Sequence, residues 1–167
     1  GTNINAVIAT DRLSFKYSGN YTDAKNYSSA DDFKEGATIV GRDWVDAAEA
    51  GSSAYKISNH LFNLGLKKGS SELNLKVSIQ HSPYQGLINQ RMDMTGNDSK
   101  SFNLKYSDKF NWGDIEARTY IESTDHAMNF GSDKQYWYPN NAPGNPMDSE
   151  GINLGFTVKA DINLDEN

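Results

Sequence analysis

In "DHAMNFG", residues 125–131, an imidazole and a thioether stand two positions apart, in a chain of 167 residues with only three His and four Met. Such a pair can ligate a soft or borderline ion such as Cu(I), to which a thioether is well matched. Whether His126 and Met128 can act on one ion depends on where their side chains point. On a β-strand, residues two apart share a face and lie about 7 Å apart, twice the rise per residue. In a loop the spacing implies nothing. The other methionines, Met92, Met94 and Met147, fall in or beside long polar connections. They are secondary candidates for a methionine-lined path, the alternative being adaptable packing under those connections.

Other residue types offer less chemistry. There is no cysteine, so thiolate sites and disulfides are absent. The acidic runs Asp31-Asp32 and Asp46…Glu49 lack the spacing of a calcium loop and read as solvated loop charge. Glu116 and Glu122 flank Arg118 on one strand parity, which reads as a cross-strand charge ladder rather than an acid/base pair. No nucleophile–base constellation occurs, and an enzyme is not expected. A net charge of −6 supplies no basic patch for nucleic acid.

The elements that would position these residues have a period of two almost throughout. In "RLSFKYSGNYT" the residues Leu13, Phe15, Tyr17 and Tyr21 alternate with polar ones, as do Leu73, Leu75, Val77 and Ile79 in "ELNLKVSIQ". "GINLGFTVKADIN" repeats the pattern from Ile152 to Ile162. Weaker strands are expected over 54–66, 101–108 and 114–124. "NINAVIA" would be a further strand, paired to the first through a turn at Thr10-Asp11. On the parity of these strands His60 and His81 fall on the apolar side, where a wall role is favoured over ligation. Nine Tyr, seven Phe and three Trp argue against disorder, and no apolar run approaches the roughly 20 residues of a spanning helix.

Long and short connections alternate along the chain, so in an up-and-down meander all long ones lie at one end. That asymmetry, with strands longer than soluble sheets favour, points to an outer-membrane β-barrel. A soluble β-sandwich has the same alternation of faces and stays open as a binding module or adhesin. In the barrel reading Leu73, Val77, Leu154, Phe156 and Val158 face lipid on a convex side, and Asn74, Lys76 and Lys159 face a lumen. Phe110 and Trp112 in a short turn, and Tyr17, Tyr21 and Tyr55 toward the long loops, would mark the two membrane boundaries. Trp112 and Trp137 would then lie at opposite ends.

The ordered series "PYQGLINQRMDMTGND", "NLKYSDKFNWGDIEARTY", "HAMNFGSDKQYWY", "PMDSEG" and "GFTVKADI" resembles the barrel region of TonB-dependent outer-membrane receptors, and most of all the branch of the TonB-dependent copper receptors. The resemblance implies a plugged barrel of about 22 strands in the bacterial outer membrane, with import driven by an inner-membrane energy-coupling complex acting through the plug. Residues 1–167 would supply six or seven strands of it, an internal fragment without plug or closing strand that forms an open curved sheet. In that branch a His-x-Met pair on the barrel, matched here by His126 and Met128, completes a copper site with a Cys-x-x-x-Met on the plug. If strand 114–124 runs on by two residue pairs, His126 and Met128 inherit the lumenal parity of Glu122. The same architecture can serve a metal chelate such as a siderophore, with "QYWYP" (135–139) as a stacking surface.

Overall fold

The computed structural model describes residues 1–32, 46–130 and 145–163. Seven antiparallel strands lie in chain order in one open sheet: β1 (Thr2–Ala9), β2 (Leu13–Ala24), β3 (Tyr55–Lys68), β4 (Ser71–Gln85), β5 (Asp93–Phe110), β6 (Gly113–Asn129) and β7 (Met147–Ile162). No helix occurs among the described residues. The period-two pattern is what makes this arrangement work, because each strand segregates its apolar from its polar residues. In-register pairing then aligns the segregated faces across the whole sheet.

One apolar row can be followed through all seven strands: Ala6, Tyr17, Phe62, Val77, Phe102, Ile121, Leu154. The next row toward the short turns is Ile8, Phe15, Leu64, Leu75, Leu104, Thr119, Phe156. Leu73 and Val158 belong to the same face, while Asn74, Lys76 and Lys159 lie on the other, as alternation requires. On the polar face Ser78 and Ser101 share a hydroxyl hydrogen bond of 2.6 Å, and Lys105 pairs with Glu116 at 2.7 Å. Arg118 Nε donates to Asn103 Oδ1 at 3.2 Å. Of the expected charge ladder only the Glu116 rung is charged: Arg118 meets the neutral amide of Asn103, and Glu122 stands in register with Ser101 and Asn153.

Among the described residues nothing packs on the apolar band of this face. Ile152, Leu154 and Phe156 are 68, 72 and 71% exposed, and among the described residues the only buried hydrophobic side chains are Ala50 and Met94. Near the long connections the same face turns polar, with His81, Asp98, Asp125 and Glu150 in direct register. His81 Nδ1 lies 2.5 Å from Asp98 Oδ1. Deeper in the apolar band His60 Nδ1 meets the Tyr17 hydroxyl at 2.8 Å, with the two rings stacked. Both histidines therefore lie on the face of the apolar residues, as their parity predicts.

Short connections at 10–12, 69–70 and 111–112 lie at one end of the sheet, and those at 25–54, 86–92 and 130–146 at the other. The first turn is closed by Thr10, whose Oγ1 accepts from the backbone N–H groups of Arg12 (3.3 Å) and Leu13 (3.0 Å). Trp112, in a short turn, stacks on Phe110 with 5.2 Å between ring centroids. Trp137 lies outside the described residues.

Three expectations need correcting. The strands are longer than alternation suggests: β4 runs to Gln85 and β5 begins at Asp93, so the connection between them shrinks to 86–92. Tyr17 sits in the middle of the apolar band, not at its edge. Tyr55 pairs with Ala24 and Gln85 on the polar-face register, so of the three only Tyr21 lies on the apolar-parity face at its edge toward the long connections, its hydroxyl donating to Asp23 Oδ2 at 3.0 Å.

Candidate functional site

β6 continues past Thr124 to Asn129 because its neighbours give it partners on both sides: His126 pairs with Asn97 and Ser149, and Met128 with Met94 and Met147. Both therefore keep the parity of Glu122 and lie on the polar face, at the end bearing the long connections. His126 and Met128 share a face, as the strand spacing requires.

The pairing also assembles what the spacing of residues alone does not reveal. Met94, Met128 and Met147 stand side by side on three adjacent strands, in direct cross-strand register. Neighbouring strands are about 4.8 Å apart, so the three methionines stand on backbone within a span of about 10 Å, with His126 one residue pair away. Met94 reaches this row through a bulge. Its register with Met128 shifts before Gly96, leaving Thr95 unpaired. By simple alternation Met94 would share the face of Asp98 and Lys100. The inserted residue turns it to the face of Asn97 and His126. Met94 is 9% exposed, Met128 half-buried and Met147 38% exposed, so the row runs from a packed end to an open one. Met92 lies in the 86–92 connection and has no place in the row.

The imidazole is oriented. His126 Nδ1 is 2.9 Å from Asn97 Oδ1. An amide oxygen can only accept, so Nδ1 is the donor and Nε2 is left as the nitrogen that can bind an ion. A neutral imidazole held through its other nitrogen is the usual condition of a metal-ligating histidine. Ser149 Oγ adds a hydrogen bond of 3.3 Å to the carbonyl oxygen of His126. An open hollow of about 420 Å³ beside this stretch is lined mainly by residues of the opposite face, among them Asp98, Asp125, Ala127 and Glu150, and so is not part of the methionine row.

Among the described residues no set of three or more His, Asp and Glu side chains converges as a metal cage. The donors that do gather are three sulfurs and one nitrogen. That set suits a monovalent soft ion: thioethers select Cu(I), whereas Zn(II) is held by thiolate, imidazole and carboxylate.

Asn97 and the Thr95 bulge are the participants that sequence reasoning missed. Asn97 falls in "MTGND", whose Gly, Asn and Asp are the usual marks of a turn, and a bulge has no signature in a single alternating pattern. The expected acidic runs stay outside the site: Asp31 and Asp32 are exposed, and Glu49 Oε1 accepts from Asn26 Nδ2 at 2.7 Å. The aromatic segment "QYWYP" (135–139) falls outside the described residues. No protein-family model, curated protein or solved structure matches this chain.

Proposed function

We propose that this chain forms part of the wall of a TonB-dependent outer-membrane receptor whose cargo is copper, taken up as Cu(I). The observation that carries the reading is the methionine row beside His126, on the polar face of a sheet whose other face is apolar and bare. In a barrel the polar face lines the lumen, and the long-connection end faces outward, where scarce ions are captured. The bare face supports the membrane half of the reading. From Ile152 to Ala160 the outward-pointing residues of β7 are separated by eight rises, about 27 Å along the strand. At the usual barrel tilt of about 40° that becomes roughly 20 Å, most of the apolar band of about 25 Å of outer-membrane barrels. Covering by lipid removes the exposed Ile, Leu and Phe side chains from water without a second sheet. The plug and the inner-membrane coupling complex, which lie beyond this sheet, belong to the same proposal.

In this reading His126 Nε2 and the sulfurs of Met128, Met94 and Met147 pass or hold the ion by exchange among thioethers. Because three of the four ligands are thioethers, the site favours Cu(I) over Zn(II), which gains little from a thioether, and over Ca(II), which takes oxygen ligands. The test is copper accumulation by cells that depend on the full-length protein. His126→Ala/Met128→Ala cells should accumulate copper as poorly as cells lacking the protein. Uptake equal to wild type would remove the pair from the transport path. Heat-modifiable migration of the protein in detergent extracts checks the barrel itself; a soluble sandwich would migrate alike whether heated or not.

A further inference from the structure

Beside the methionine row lies a buried polar knot that the copper reading does not by itself require. Asp93 is fully buried. Its Oδ2 accepts from the Ser52 hydroxyl at 2.7 Å and from the Tyr84 hydroxyl at 3.1 Å, and its Oδ1 accepts from the Leu87 N–H at 2.9 Å. The three donors come from three places: the connection before β3, the end of β4, and the connection before β5. One carboxyl group thus ties the 25–54 connection to the 86–92 connection.

The surroundings are built to bring these segments together. Ser52 is 4% exposed and has φ 59°, the left-handed region that non-glycine residues rarely occupy. Gly86 packs so closely that a Cβ there would meet the Ser52 carbonyl carbon at 2.2 Å, and Gly86 N–H donates to Ala54 O at 2.7 Å. On the far side Asn26 Oδ1 accepts from the N–H groups of Ser53 (3.0 Å) and Ala54 (2.7 Å), fixing the same segment to the end of β2. Backbone strain of this kind persists only where the surroundings over-determine it.

We infer that Asp93 is a positioning residue for the copper site: by welding the two connections together it fixes the start of β5 and holds Met94, across the Thr95 bulge, in line with Met128 and Met147. This rests on the copper reading given above. Asp93 stands immediately before Met94 and the bulge immediately after it, so the knot, together with the ladder pairs Asp93–Asn129 and Met94–Gln85, sets the backbone from which Met94 projects. A bulge relaxed by one residue would return Met94 to the opposite face and leave two thioethers in the row.

The test is a competitive Cu(I) titration of the full-length protein in detergent, against a chromophoric Cu(I) chelator, with a double-mutant cycle. Asp93→Ala should weaken Cu(I) binding by about 10–100-fold, the range for residues that orient a metal's ligands. Met94→Ala should weaken it comparably, and Asp93→Ala/Met94→Ala no further than Met94→Ala alone, since both remove the same sulfur. Losses that multiply in the double variant would overturn the proposal, as would wild-type affinity in Asp93→Ala. Should Asp93→Ala fail to fold, Ser52→Ala and Tyr84→Phe each delete one donor, and each should give a smaller loss that also vanishes in the Met94→Ala background; a loss that persists there refutes the positioning role. Met128→Ala separates the two levels. If it binds Cu(I) like wild type, the copper reading fails. If it binds weakly while Asp93→Ala binds normally, only the role of Asp93 fails.

Discussion

Replacing Phe156 by Arg asks directly what covers the apolar face. Phe156 lies in the middle of the apolar band, its cross-strand neighbour Thr119 in turn paired with Leu104. It is 71% exposed in the isolated sheet. If water covered that face, an arginine there would displace no protein contact of consequence and cost within about 0.5 kcal/mol, as surface substitutions do. If hydrocarbon covers it, an arginine near the midplane costs about 2–4 kcal/mol. At 1.4 kcal/mol per tenfold that is roughly a 30- to 700-fold shift in the folding equilibrium. The internal control is Asn153→Arg on the polar face, where the new guanidinium stands beside Glu122 in register and should cost within about 0.5 kcal/mol. The assay is urea unfolding of the full-length protein refolded into lipid vesicles, followed by tryptophan fluorescence. A Phe156→Arg variant as stable as wild type, or an Asn153→Arg variant equally destabilised, would refute both the lipid-facing assignment and the register beneath it.

Other substitutions probe the site and its frame. Met128→Ala should weaken Cu(I) binding far more than Zn(II) binding, because zinc gains little from a thioether, whereas His126→Ala should weaken both; parallel titrations with the two ions decide. Asn97→Leu removes the acceptor that fixes the His126 tautomer and should cost about 10–100-fold in Cu(I) affinity, with Asn97→Asp, which still accepts from Nδ1–H, nearer to wild type. Gly113→Ala should destabilise the β5–β6 turn by about 1–3 kcal/mol, since φ there is 149° and a Cβ would meet Asp161 O at 1.9 Å; equilibrium unfolding in vesicles measures it.

Much of the sheet was legible because its information is local. Alternation at Leu73–Ile79 or Ile152–Ile162 fixes which residues share a face, and the tight turns at Thr10 and Asn111-Trp112 are short enough to dictate antiparallel neighbours. The parity of His126 and Met128 followed from the same rule once β6 continued. What stayed hidden depends on the partner strand. "SPYQ" and "MTGND" contain Pro, Gly, Asn and Asp, the usual marks of a turn, yet they extend β4 and β5 because adjacent long strands supply ladder partners. The Thr95 bulge inverts the parity of Met94, and no property of residues 93–96 alone announces it. Likewise nothing near Asp93 in sequence points to Ser52, 41 positions away. Tyr55 was misassigned for a related reason: with no apolar alternation at the start of β3, its face is set by pairing to Ala24 and Gln85 rather than by its own pattern.

The most direct test of the central claim is copper K-edge X-ray absorption on the full-length protein loaded with one equivalent of Cu(I). The methionine row predicts a first shell dominated by sulfur, with one imidazole contribution, and loss of sulfur scatterers in Met128→Ala and in Met94→Ala. A first shell of nitrogen and oxygen alone, unchanged in both variants, would contradict it.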